Sequence, residues 1–133
     1  MHKFLKVGVA GLVAASALAL TPMAFAASSA PKAATAVVTT GSCSGSSTWM
    51  LTLKLDNGRI ESDIDVQTNA AGQLWKFTMK DNGVKFAGGK KTTVADGSWS
   101  ATRFATNLTG PDHITVNAKN TVTGETCAAS GTF

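Results

Sequence analysis

The chain has 133 residues, a formal net charge of +4 and 44% hydrophobic residues. That is enough for one domain with one core, and too apolar for a chain that stays unfolded. Its cations are scattered, with only Lys90 and Lys91 adjacent, which argues against the clustered basic footprint of a nucleic-acid binder.

The first element is an address. Met1-His2-Lys3-Phe4-Leu5-Lys6 is a short basic start, Val7 to Leu20 is apolar, and Ala24-Phe25-Ala26 places small residues where a signal peptidase reads. This is the grammar of a secretory signal peptide over residues 1–26. The apolar run falls short of the ~20 residues that span a bilayer as a helix. Cleavage leaves ten basic against eight acidic residues, a net of +2. The expected location is secreted and extracellular, with no membrane attachment after signal removal.

Residues 27–42, rich in Ala, Ser and Thr, read as a flexible lead-in in which Ala36-Val37-Val38 could form a short edge strand. From Cys43 onward, turn signals recur at short intervals: Asp56-Asn57-Gly58, Ala71-Gly72, Asp81-Asn82-Gly83, Asp96-Gly97, Gly110-Pro111-Asp112 and Gly124. Asn-Gly supplies the positive φ of tight hairpins. Between turns the apolar residues alternate: Trp49, Leu51, Leu53 and Leu55; Ile60, Ile64 and Val66; Trp75, Phe77 and Met79; Ile114, Val116 and Ala118. Period-two patterning predicts strands near 47–55, 59–68, 73–80, 84–92, 98–106, 113–119 and 125–132. The expected fold is all-β, a seven-stranded antiparallel immunoglobulin-like sandwich over 43–133. The expected core is Trp49, Leu51, Leu53, Ile60, Ile64, Val66, Trp75, Phe77, Ile114 and Val116.

Cys43 and Cys127 both survive signal removal and frame nearly the whole domain. In an exported chain an even pair reads as a disulfide, here joining the first strand to the last. The bridge closes a loop of about 85 residues, worth up to ~4.5 kcal/mol in the chain-entropy model.

Two stretches resemble known families. Gly97-Ser98-Trp99-Ser100, Leu108-Thr109-Gly110, Ile114-Thr115-Val116-Asn117-Ala118 and Thr123-Gly124 resemble bacterial immunoglobulin-like modules. The cysteines lie on the outer strands, however, and there is no Tyr for a tyrosine corner. Cys43, Trp49, Asp56 to Glu61, Gly72-Gln73, Trp75, Asp81-Asn82-Gly83 and the Cys127 end are similar to a group of small secreted actinobacterial proteins of unassigned activity. The second resemblance implies one exported domain and no particular chemistry.

Candidate sites are few. Glu61, Asp63 and Asp65 share one strand face at about 6.6–7 Å spacing, near the separation used by inverting glycosidases. An alternating polar face points into water, and Asp63-x-Asp65 lacks the rest of an EF-hand loop; a solvated face outweighs calcium binding or catalysis. Gly41-Ser42-Cys43-Ser44-Gly45 lacks the helix and His of a nucleophile elbow, and Gly83 to Thr92 fails phosphate-loop spacing. Two candidate ligand contacts remain. His113 is the sole histidine after residue 26 and reads as surface. Trp99 reads as core or as an exposed platform for sugars, because its face continues as Ala101 and Arg103 while Phe104 has the other parity, with a bulge between them. No cofactor is expected. The functional expectation is an exported, non-catalytic binding module, a monomer whose partner is a protein or glycan at or outside the cell surface. Recognition would use the end loops around 69–72, 93–97, 107–112 and 120–124. The alternative is an inhibitor of an extracellular hydrolase.

Overall fold

The computed structural model describes residues 36–133; the expected signal peptide over residues 1–26 and the expected lead-in up to residue 35 lie outside them. The described residues form eight strands: β1 (Val37–Ser42), β2 (Thr48–Asp56), β3 (Arg59–Gln67), β4 (Leu74–Asp81), β5 (Val84–Thr92), β6 (Ser98–Thr106), β7 (His113–Asn120) and β8 (Thr126–Thr132). Seven match the strands expected from the alternation. The additional one, β1, occupies the end of the expected flexible lead-in and raises the count from seven to eight.

Every pairing is antiparallel, in two four-stranded sheets ordered β1-β2-β3-β6 and β5-β4-β7-β8. Immunoglobulin domains pair their strands as A-B-E-D and C-F-G, and the order here is different. The local cause is Asn57-Gly58, with φ of 49° and 75°. It closes a two-residue hairpin that keeps β2 and β3 side by side in one sheet. Asn82-Gly83, with φ of 48° and 83°, does the same for β4 and β5. Side chains with φ above zero at both positions are strained unless they are Asn, Asp or Gly.

Packed face to face, the sheets bury Leu51, Leu53, Ile60, Ile64, Val66 and Trp99 against Trp75, Phe77, Met79, Ile114 and Val116. Nine of the ten expected core residues are buried; Trp49 is half-buried. Its ring lies across the edge strand at Gly41, where a Cβ would come within 2.5 Å of the indole. That close approach requires glycine.

Cys43, one residue past β1, is bonded to Cys127 in β8. Around the bridge, Ser44 N–H donates to Thr126 O (2.8 Å) and Thr126 N–H to Ser44 Oγ (2.9 Å). Glu125 accepts from the backbone N–H and hydroxyl of Ser47. The first and last elements are thus held together by covalent and polar links.

Candidate functional site

Trp99 is 3% exposed. Its ring centroid lies 6.0 Å from Trp75 and 5.6 Å from Phe77. The exposed-platform reading is therefore corrected: Trp99 is packed in the core. The register of β3 with β6 runs unbroken from Arg59 opposite Thr106 to Gln67 opposite Ser98, so the expected bulge is absent. Parity holds through Arg103, which keeps the inward side between Ala101 and Ala105 but is half-buried at the edge beside β5, its guanidinium 5.3 Å from the Phe77 ring. Phe104 lies on the outer face under Arg59, 4.3 Å from guanidinium to ring. His113 opens β7 on the surface, its Nδ1 2.9 Å from the Thr132 hydroxyl, and stands apart from Trp99. Its neighbour Asp112 is wholly buried.

Glu61, Asp63 and Asp65 line the outer face of β3. Glu61 pairs with Lys54 at 3.2 Å, and Asp63 accepts from the Thr102 hydroxyl at 3.1 Å. Asp65 borders a shallow groove of about 610 Å³ with Thr40, Met50, Gln67 and Ser98. Partial desolvation raises its carboxyl above the usual value, and the Asp63 charge raises it further. Among the described residues no three His, Cys, Asp or Glu side chains are placed to hold a metal ion.

Asp81 and Asp112 form the one buried acidic pair among the described residues. Asp112 accepts from Leu108 N–H at 3.3 Å to each carboxylate oxygen. Asp81 is 7% exposed and its Oδ1 has no hydrogen-bond partner. Burial raises the Asp81 carboxyl, and the charge of Asp112 and a hydrogen bond to it raise it further. Beside this pair the β4–β5 hairpin is tied to the 107–112 loop by Asn82, whose Nδ2 donates to Pro111 O at 3.3 Å.

A further site was missed in the sequence: the outer face of β5-β4-β7-β8. Opposite the inward Trp75, Phe77 and Met79, β4 presents Lys76, Thr78 and Lys80. Lys76 stands directly between Lys90 of β5 and Lys119 of β7. Lys80 is paired with Lys85 and Thr115. The row between, Gly88–Thr78–Asn117–Ala128, has only short side chains. The result is a trough across the strands, floored by short side chains, with Lys90, Lys76 and Lys119 along one side and Lys85 and Lys80 along part of the other. The walls are four residues apart on β4, about 13 Å, and four strands make it about 14 Å long. A depression of about 520 Å³ lies within it, lined by Lys76, Thr78, Asn117, Lys119, Thr126 and Ala128. Lys85 lies down over Gly88, its Cε 3.3 Å from where a Cβ would stand.

No Asp or Glu belongs to this face. Glu125, the nearest in sequence to Thr126, is turned away to Ser47. None of the five lysines is ion-paired among the described residues. Like charges directly opposite one another across strands repel, so the face is a concentrated positive potential on a rigid sheet. Five lysines with no carboxylate among them suit the face to an anion.

Comparison with protein-family models, curated proteins and solved structures yields no match to this chain. Function therefore rests on the site itself.

Proposed function

We propose that the chain is an exported, non-catalytic binding module that engages an acidic partner, protein or glycan, through the lysine trough. The observation that carries this reading is that Lys76, Lys80, Lys85, Lys90 and Lys119 share one acid-free sheet face. Export is supported by the signal-peptide grammar of residues 1–26 and by the Cys43–Cys127 disulfide, a bond suited to an oxidising compartment. Intact-mass measurement of material from the medium should show a chain beginning near Ala27.

Binding is tested with immobilised polygalacturonate, an acidic glycan, and poly-L-glutamate, an acidic polypeptide. Wild-type protein should be retained on at least one and released as salt rises. Substituting the five lysines by glutamine should abolish retention, whereas Lys54→Gln on the opposite sheet should leave it unchanged. Retention equal in all three proteins would refute the reading, as would turnover of a substrate abolished by one point change.

A further inference from the structure

We infer that the trough takes a single extended chain of a phosphate-bearing polymer without bases, one phosphate seated in the depression between Lys76 and Lys119. The inference rests on the reading of this face as the binding surface and names its ligand.

Three observations carry it. First, the cations here are all lysines, while Arg59 and Arg103 are engaged over phenylalanine rings elsewhere. Lysine's compact ammonium meets a phosphate oxygen as a point charge from many directions, whereas arginine's planar fork holds carboxylate or phosphate in one bidentate geometry. Second, Lys76 and Lys119, paired across β4 and β7, stand beside neutral donors, the hydroxyls of Thr78 and Thr126 and the amide of Asn117. A phosphate presents several acceptor oxygens in different directions, matching donors that arrive from three strands. Third, the trough is shaped for a strand-like ligand. Ala128 leaves one end open, the flexible Lys85 side chain lies over the other at Gly88, and walls about 13 Å apart between Cα atoms admit one extended chain. The trough itself holds no aromatic residue to stack a base, His113 standing one row beyond Thr115, and stacking platforms are what single-stranded nucleic-acid binders use.

The site also has a rigid support. Lys76, Thr78, Asn117 and Lys119 lie on β4 and β7, the two central strands of the sheet. Cys127, bonded to Cys43, pairs with Ala118 beneath the depression. Little ordering is needed when the ligand binds.

The test is titration of the purified chain with inorganic polyphosphate over a range of salt concentrations. Lys76→Gln/Lys119→Gln should weaken binding by roughly tenfold or more and lower the log Kd against log salt slope by about two, one per lysine. Thr78→Val and Asn117→Ala should each weaken binding with the slope unchanged. Tryptophan fluorescence should show every variant folded.

Unchanged affinity in the Lys76/Lys119 variant overturns the inference. If Lys85→Gln/Lys90→Gln alone weakens binding, the broader reading of the face survives; if neither variant does, both fall together. Equal affinity at matched charge for dextran sulfate overturns the choice of phosphate. Equal affinity for single-stranded DNA of the same phosphate number overturns the choice of a base-free polymer.

Discussion

Removing the bridge by Cys43→Ala/Cys127→Ala tests how far this domain depends on one covalent link. The cysteines are 84 residues apart in sequence. In the chain-entropy model, opening a loop of that length returns about 4.5 kcal/mol of freedom to the denatured chain. The folded side should change little, because backbone and hydroxyl bonds join Ser44 to Thr126 and Thr39 Oγ1 donates to Ser130 O at 2.7 Å. A domain of this size has about 5–15 kcal/mol in all, so the loss ranges from a third of the stability to nearly all of it. At about 4–8 °C per kcal/mol, the melting temperature should fall by roughly 20–35 °C. Urea unfolding followed by tryptophan fluorescence reads this directly, since Trp75 and Trp99 are buried. The denaturant slope should rise as well, because an uncrosslinked chain exposes more surface on unfolding. A loss below about 1 kcal/mol with an unchanged slope would show that residual denatured-state structure already holds the ends together, and would refute the loop-entropy account.

Trp99→Ala should destabilise by about 3–5 kcal/mol, the range for emptying a large aromatic site, while the folded fraction keeps its affinity for polyanions; lost binding at full stability would contradict its place in the core. Asp81→Asn should be more stable than wild type at neutral pH. The Asp81 carboxyl is raised above 3.8 in the fold, so over that window the folded state holds more protons than the unfolded one and stability falls as pH rises. The asparagine variant lacks that fall, and denaturation curves from pH 3.5 to 7 should show the difference; parallel profiles would count against the buried pair. Ser62 is fully buried with an unpartnered hydroxyl, so Ser62→Ala should stabilise by about 1 kcal/mol, and a lower urea midpoint would show that the hydroxyl has a partner after all.

Local chemistry made seven strands and most of the core legible in the chain. Asn57-Gly58 and Asn82-Gly83 set hairpins within two residues, and a strict period of two selects one face of each strand. The same logic paired Cys43 with Cys127. Three features escaped it because each depends on neighbours distant in sequence. β1 carries little alternation of its own and exists as the edge partner of β2, with Gly41 making room for Trp49. Trp99 shares its parity with Arg103, and only the open edge beside β5 lets one be core while the other is half-buried. The lysines looked scattered because residues 76, 80, 85, 90 and 119 are spread over three strands. Their parity opposite Trp75, Phe77 and Ala118 was a readable sign that several face outward. It could not place them side by side, since the order β5-β4-β7-β8 follows from how the sheets stack. Periodicity tells which way a side chain points; tertiary pairing chooses the company it keeps.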